Sequence, residues 1–153
     1  MRISYNRRDD VSSLAKGEKV VGSFILQQEI GQGAFGTIFR SRSTKDNATY
    51  AIKEIPIGMD GAGNNISMAE ARMMQKIWHR NIVKYHDNFT VDGKLYLVME
   101  YCDKGDLAQY IERLSRNAVM EMPVWRMWKF FVQMCLALHY IHEKNIVHAD
   151  LKP

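Results

Sequence analysis

The chain has 153 residues, 46% of them hydrophobic and 25% charged, and a net charge of +4 at pH 7, which is typical of a soluble globular protein with one core. Its basic residues form no stripe interleaved with aromatic residues, so the sequence does not indicate nucleic-acid binding. It has neither an apolar run long enough to cross a bilayer nor the apolar stretch of a signal peptide near its start.

The first part of the chain leads into a glycine-rich stretch. Residues 1–22 are polar, charged and without periodicity, which predicts a flexible extension. Residues 24–30 are predicted to form a strand, and residues 37–42 alternate in a way that predicts a second strand. The glycines of residues 31–36 (Gly-Gln-Gly-Ala-Phe-Gly) therefore lie at the tip of a β-hairpin, whereas a dinucleotide-binding loop would open a helix.

A third strand follows a turn at Asp46-Asn47 and reads Tyr-Ala-Ile-Lys over residues 50–53. Ala51 and Lys53 are two residues apart, so they share one face of the strand. A small residue beside a long cation leaves room for a flat ring and supplies a charge for phosphates. The alternative is an ordinary hairpin with an exposed lysine.

A helix is predicted to begin near Asn65, because apolar residues then recur at helical spacing. This stripe consists of Ile66, Ala69, Met73, Met74 and Ile77. Glu70 lies within the stripe, and its neighbours at i−4, i+3 and i+4 are Ile66, Met73 and Met74, so no cation of its own helix can pair with it. A carboxylate that faces a core needs a partner from elsewhere, and Lys53 is the predicted partner. The alternative is a solvated glutamate at the border of the stripe.

Residues 82–89 and 95–101 predict two more strands joined by a turn at Asp92-Gly93. Asp106 is a predicted N-cap for a helix that extends to about Leu114. Pro123 suits the first turn of a long helix that ends before Lys144. One side of that helix is apolar and is predicted to face the core; it comprises Trp125, Trp128, Phe131, Val132, Cys135, Leu138 and His139.

These segments, in this order, resemble the protein kinases, whose glycine-rich loop covers ATP and whose third-strand lysine holds its α- and β-phosphates. The closing residues, His148-Ala149-Asp150-Leu151-Lys152-Pro153, resemble the catalytic loop of serine/threonine kinases. The resemblance implies an α+β, protein-kinase-like fold. We expect a complete N-lobe, with a five-stranded antiparallel sheet and one helix, and only the first helices of the C-lobe. The implied parts are an extension (residues 1–22), the N-lobe (residues 23–101) and the hinge with the start of the C-lobe (residues 102–153).

The resemblance also implies the site residues. Those implied to bind the nucleotide are Ile30, Gly31, Gly33, Ala34, Phe35, Gly36, Ile38, Ala51, Lys53, Met99, Glu100 and Cys102. Those implied to be catalytic are Lys53, Glu70, Asp150 and Lys152. Among them Met99 takes the gatekeeper place, and residues 100–102 form the hinge that bonds the adenine edge.

The resemblance assigns roles to the closing segment. Asp150 is implied to be the catalytic base, and Lys152 matches the lysine that steadies the γ-phosphate in serine/threonine kinases. His148 is expected to be a packed, structural histidine. Ala149 replaces the usual arginine, which argues against control through a phosphorylated activation loop. ATP and Mg²⁺ are the implied cofactors, with no metal ligand in this chain, because the family's metal-binding residues would follow Pro153.

Two segments are similar to the NIMA-related serine/threonine kinases. They are the hinge, Leu-Val-Met-Glu-Tyr-Cys-Asp-Lys-Gly-Asp-Leu, and the helix Trp-Lys-Phe-Phe-Val-Gln-Met-Cys-Leu-Ala-Leu-His-Tyr-Ile-His. Kinase resemblance covers residues 24–153. Because the chain stops within the catalytic loop, we expect it to be inactive alone and its C-lobe helices to expose apolar surface.

The leading hypothesis is therefore a serine/threonine protein kinase that acts on protein substrates, without a nucleic-acid or membrane partner. A rival is a pseudokinase or regulatory module that binds nucleotide without transferring phosphate. A third alternative is an incomplete gene model with no independent function. Two cysteines without metal-ligand spacing fit a reducing compartment, so the cytoplasm is the expected location, with the nucleus and cytoskeleton left open.

Overall fold

The computed structural model describes residues 17–33, 36–57, 72–116 and 121–152. The chain divides into two compact units. We call the first, Met1–Met74 with Tyr85–Tyr101, the sheet unit. The second, Gln75–Lys84 with Cys102–Pro153, is the helical unit.

The sheet unit contains one six-stranded antiparallel sheet in the order β1-β2-β3-β4-β6-β5. Its strands are β1 (Lys19–Val21), β2 (Phe24–Gly33), β3 (Gly36–Ser43), β4 (Thr49–Pro56), β5 (Tyr85–Val91) and β6 (Lys94–Glu100). The predicted antiparallel sheet and α+β class are confirmed, with one strand more than the five expected.

The additional strand, β1, lies in the segment predicted to be a flexible extension, so that boundary is wrong for residues 19–21. Lys19 pairs with Leu26 across an antiparallel register, and Val21 is only 3% exposed. A three-residue strand has too few positions to show alternation, and pairing with β2 is what makes it a strand. Residues 1–16 of the predicted extension lie outside the described residues.

The start of β5 also differs from the prediction. The strand begins at Tyr85, whereas residues 82–84 were expected to belong to it. The backbone N–H of Ile82 instead donates to the carbonyl of His79 at 3.1 Å, which closes a turn. A local turn uses this donor, so residue 82 cannot offer it to a neighbouring strand.

Each face of the sheet has its own apolar cluster. One face packs Val21, Leu26, Ile52, Tyr96 and Val98 together. The opposite face packs another cluster, and it is the face of Lys53; its buried members are Ile55, Leu95 and Leu97, with Ile57, Met74 and Tyr85 against them. Strand β4 contributes to both, because its successive side chains alternate between the two faces.

The helical unit contains α1 (Leu107–Arg116) and α2 (Val124–His142). Asp106 is the N-cap of α1, as predicted, since its Oδ1 accepts the backbone N–H of Gln109 at 2.7 Å. Pro123 immediately precedes α2 and has a φ of −59°, which suits a helix entrance. The earlier predicted helix, from Asn65, is described only at residues 72–74, which are helical; Ile77 lies after its end.

The predicted core side of α2 is wrong for the described chain, because it is largely exposed. Trp125, Trp128 and Phe131 are 59%, 61% and 53% exposed, whereas Ile141 is buried. The expectation that these helices expose apolar surface is confirmed. In the parts of the chain that the structure describes, neither helix combines the length and apolar character that a membrane span requires.

Candidate functional site

The glycine-rich stretch forms a β-hairpin, as predicted. Gly31 pairs with Ile38, and Gly33 pairs with Gly36, so β2 and β3 run antiparallel up to the tip. No helix follows the glycines, which excludes a dinucleotide-binding loop of the Rossmann type here. Ala34 and Phe35, at the tip itself, lie outside the described residues.

Gly36 is the glycine whose missing side chain matters most. An added Cβ would lie 2.1 Å from the carbonyl oxygen of Glu54 in β4, and Gly36 has a φ of +153°, which L residues rarely adopt. At Gly31 an added Cβ would meet only the side chain of Ile38, at 3.8 Å. The hairpin therefore packs against the backbone of β4 at the residue that follows Lys53.

Two rows of side chains cross the sheet on the face of Lys53. One row aligns Ile38, Lys53 and Leu97, and the next aligns Arg40, Ala51 and Met99. Ala51 is 8% exposed. The predicted arrangement of a small residue beside the lysine on one face of the strand is therefore present.

The predicted partner of Lys53, Glu70, lies outside the described residues, so this ion pair stays a prediction. The end of the same helix is described: Met74 packs against the apolar cluster of Ile55, Leu95 and Leu97. That cluster lies on the face of Lys53, because Lys53 and Leu97 are directly paired. The segment therefore reaches the sheet face that the prediction requires.

The remaining residues that are predicted to bind the nucleotide lie at the end of β6, just after it, and near the glycines. Met99 is half-buried, as suits a gatekeeper, whereas Glu100 and Cys102 are exposed. The exposure of these two side chains is compatible with the expectation that backbone groups of the hinge, and not side chains, contact the adenine. Ile30, which precedes the glycines, is 41% exposed.

The closing segment places Asp150 and Lys152 together in the helical unit. Lys152 Nζ lies 3.0 Å from Asp150 Oδ2, and both side chains are exposed. The backbone N–H of Asp150 donates to the carbonyl of His148 at 2.9 Å. These contacts form a tight turn with a carboxylate and an ammonium on it.

His148 and Ala149 shape this turn. His148 is exposed, so the expectation of a packed histidine is wrong; its Nδ1 instead lies 3.3 Å from the backbone N of Asp150 and accepts a local hydrogen bond. Ala149 adopts a φ of +57°, a left-handed conformation that costs a non-glycine residue about 1 kcal/mol. Both features follow from tight turning, which residue type alone does not reveal.

Sequence reasoning missed a polar cluster on the opposite face of β4, which we call the Glu54 cluster (Lys19, Glu54, Lys94 and Tyr96). Glu54 accepts hydrogen bonds from Lys94 Nζ at 2.6 Å and from the Tyr96 hydroxyl at 2.8 Å. Lys19 Nζ lies 3.7 Å from the same carboxylate. The only sequence signal was a charged residue alternating with apolar ones in a central strand.

The cluster shifts two pKa values. Burial alone would raise the pKa of Glu54, but the hydrogen bonds from Lys94 and Tyr96 and the charges of Lys94 and Lys19 outweigh it, so the pKa is lowered. Burial, followed by the hydrogen bond to Glu54, raises the pKa of the Tyr96 hydroxyl. Glu54 is therefore ionised and Tyr96 is neutral at physiological pH.

A metal site is not assembled by the described part of the chain. Within residues 17–33, 36–57, 72–116 and 121–152, no three His, Cys, Asp or Glu side chains come together as ligands. The one carboxylate of the closing segment, Asp150, is paired with Lys152. The described residues alone therefore do not provide a ligand set for Mg²⁺.

Comparisons with known proteins agree with this geometry. A model of the protein kinase domain matches residues 24–153. Mouse serine/threonine-protein kinase Nek1 is 38% identical over 130 residues, which are 84% of this chain and 11% of that protein. Mouse serine/threonine-protein kinase Nek3 is 35% identical over 130 residues, 85% of this chain and 24% of that protein. Human serine/threonine-protein kinase Nek10 is 32% identical over 146 residues, 88% of this chain and 12% of that protein.

The chain thus spans between 11% and 24% of the length of these relatives. All three are Nek kinases, which confirms the resemblance to the NIMA-related kinases. The matched region begins with β2 and includes the glycine hairpin, β4 and the closing segment. The chain belongs to the protein kinase family.

Proposed function

We propose that this chain is the ATP-binding part of a serine/threonine protein kinase, which transfers the γ-phosphoryl group of ATP to hydroxyl groups of protein substrates. One observation carries the proposal: the glycine hairpin packs on β4 at Glu54, and the adjacent Lys53 and Ala51 share one sheet face. Glycine backbone and a lysine can both approach a phosphate, and the small residue leaves space for a flat ring. A site with these features suits ATP.

The nucleotide would be held in three ways. Gly31, Gly33 and Gly36 let the backbone approach the phosphates, and Lys53 supplies a positive charge to them. Ala51 leaves room for the adenine ring. The backbone of residues 100–102 would bond the adenine edge, with Met99 behind it.

Transfer would use the closing segment. A substrate hydroxyl would attack the γ-phosphorus as the bond to the bridging oxygen of ADP breaks, and Asp150 would accept the hydroxyl proton. Lys152, 3.0 Å from that carboxylate, would orient it and offer a charge to the γ-phosphate. Mg²⁺, when bound, neutralises charge on the phosphates. Glu70 would hold Lys53 in place.

The test uses the full-length protein and two lysine variants. Lys53→Ala is expected to weaken ATP binding by roughly 10- to 100-fold, the loss of one or two charge-assisted hydrogen bonds, and to abolish phosphoryl transfer. Lys45→Ala is the matched control, because Lys45 is exposed in the turn between β3 and β4. Calorimetry measures the binding and γ-labelled ATP the transfer to a protein acceptor.

The outcomes separate the competing functions. Binding and transfer that are both lost in Lys53→Ala support the proposal, as does transfer lost in Asp150→Asn while binding remains. Binding without transfer in the unaltered protein would favour a regulatory nucleotide-binding module. Absence of lysine-dependent ATP binding would refute both. We propose a cytoplasmic location, which fluorescence microscopy of the tagged full-length protein would test.

A further inference from the structure

Glu54 lies next to Lys53 in β4, and its side chain points to the opposite face of the sheet. There it joins three strands: β4 itself, β6 through Lys94 and Tyr96, and β1 through Lys19. The Glu54 cluster thus links β1, β4 and β6 through ion pairs and a hydrogen bond.

Burial makes these contacts stronger than surface pairs. The Glu54 side chain is 14% exposed, and Tyr96 is among the most buried residues of the sheet. Hydrogen bonds to a charged group are shorter and roughly twice as strong as neutral ones, and low exposure limits competition from water. The contact with Lys19 is the weakest, since that lysine is 56% exposed and 3.7 Å away.

The backbone of the same residue contacts the glycine hairpin. The carbonyl of Glu54 occupies the space that a side chain on Gly36 would need, with 2.1 Å between an added Cβ and the carbonyl oxygen. Thr37, which follows Gly36, is paired with Glu54 across β3 and β4. Glu54 therefore touches the hairpin through its backbone and β6 and β1 through its side chain.

We propose that Glu54 is a positioning residue, which holds Lys53 and the glycine hairpin in their nucleotide-binding arrangement. This inference rests on the proposed function, and it adds a residue on the far face of the sheet to the machinery of ATP binding. Because Lys53 directly precedes Glu54, a rotation or slide of β4 moves the lysine ammonium. Misplacement by about 1 Å costs up to 10²-fold in a site that depends on orientation.

The first strand of the sheet also contacts Glu54. Lys19 belongs to β1, which lies before residue 24, where the match to the kinase domain begins. Strand β1 therefore also contributes to the positioning of Lys53, but only through the weakest contact of the Glu54 cluster.

The experiment compares three variants of the full-length protein. Glu54→Gln keeps the size of the side chain and removes its charge. Tyr96→Phe removes only one hydroxyl, and it tests the same cluster should Glu54→Gln fail to fold. Glu112→Gln is the matched control, because Glu112 forms an equally short ion pair with Arg116, 2.6 Å, on the exposed surface of α1.

Two measurements report on position as opposed to stability. The first is the ATP dissociation constant. The second is the rate at which an amine-reactive reagent modifies Lys53, relative to Lys45 in the same sample, followed by mass spectrometry of the folded protein. We expect Glu54→Gln to weaken ATP binding by roughly three- to tenfold and to change the relative rate at Lys53 by at least about twofold. Tyr96→Phe is expected to act in the same direction with a smaller change.

Unchanged ATP affinity and an unchanged relative rate at Lys53 in Glu54→Gln and Tyr96→Phe would overturn the proposal, even if both variants unfold more easily. Equal effects in Glu112→Gln would also overturn it. If the unaltered protein fails to bind ATP, the proposed function fails, and the relative rate at Lys53 alone then decides whether Glu54 positions the lysine.

Discussion

The sheet unit and the helical unit differ in how they bury apolar side chains. Both faces of the sheet have packed clusters, with Ile52, Leu95 and Leu97 fully buried. Among the described residues of the helical unit, only one hydrophobic residue, Ile141, is buried. Many of this unit's large apolar side chains are exposed instead; on α2 the exposed ones are Val124, Trp125, Met127, Trp128, Phe131, Val132 and Leu136.

This difference indicates which unit is stabilised by apolar contacts within itself. A sheet whose strands pair side by side buries many side chains against neighbours that are close in sequence, and β2, β3 and β4 follow one another directly. A helix with an apolar side gains its stability only when another layer covers that side. The sheet unit should therefore respond strongly to changes in its core, and the exposed side of α2 should respond weakly.

The largest expected effect tests this contrast with one type of substitution. Ile52→Ala removes a side chain that is fully buried in the sheet and should lower the free energy of unfolding by about 2–5 kcal/mol. Leu136→Ala, at a position that is 48% exposed on α2, should change it by less than about 0.5 kcal/mol. Urea unfolding followed by circular dichroism measures both.

Equal losses of unfolding free energy in the two variants would contradict this contrast between the units, because they would place Leu136 in a packed environment. A small loss for Ile52→Ala alone would mean that the sheet core tolerates a cavity of this size. Either result would contradict the assignment of stability to the sheet unit.

The next effect concerns two glycines of one hairpin. Gly36→Ala should lower the free energy of unfolding by about 1–3 kcal/mol, because it combines a strained φ with a clash against the carbonyl of Glu54. Gly31→Ala should be tolerated, since its new methyl group would meet only a flexible side chain at 3.8 Å. Thermal unfolding of both variants separates them, and equal stability of the two would show that the hairpin does not press on β4.

How much of this could be read from the sequence depends on how local the cause is. The hairpin, the shared face of Ala51 and Lys53 and the cap at Asp106 follow from spacing over a few residues, and all three are confirmed. Strand β1 was missed because its strand character comes from pairing with β2 and not from its own pattern.

The other misses have non-local causes as well. The Glu54 cluster requires the register of β4 against β6, which brings Glu54 opposite Tyr96, residues that are 42 positions apart. The apolar side of α2 was recognised, but periodicity says only that a side is apolar and never what covers it. The ion pair of Lys53 with Glu70 stays a prediction, because Glu70 lies outside the described residues.

Acid should weaken the sheet unit through Glu54. The pKa of this carboxyl is lowered in the folded protein relative to its ordinary value of 4.5, so its stabilisation is fully present above that value and is lost as the pH falls through the folded pKa. The groups that face it are Lys94, Tyr96 and Lys19. We expect urea unfolding, measured from about pH 7 to about pH 3, to show that the free energy of unfolding falls less steeply with decreasing pH in Glu54→Gln than in the unaltered protein.

Glu112→Gln provides the comparison for the acid effect, because its ion pair with Arg116 is exposed and lies in the helical unit. It should leave the acid-side slope near that of the unaltered protein. An acid-side slope that Glu54→Gln leaves unchanged would mean that other carboxyl groups dominate the loss of stability.

The smallest expected effect lies at the end of the sheet, where the Arg40 guanidinium rests 5.8 Å from the centre of the Tyr101 ring. Arg40→Gln should lower the free energy of unfolding by about 0.5–1 kcal/mol, because a cation over a ring at an exposed position is worth about that much. Arg40→Lys should keep part of this stabilisation, since the charge remains while the flat stacking surface is lost.

A double-mutant cycle with Tyr101→Leu isolates the contribution of the Arg40–Tyr101 pair. A coupling energy near zero would show that the guanidinium and the ring only lie near each other. Because Tyr101 follows Glu100 in the expected hinge, a measurable coupling would extend the tightly packed part of the sheet unit to its last residue, whereas zero coupling would end it at β6.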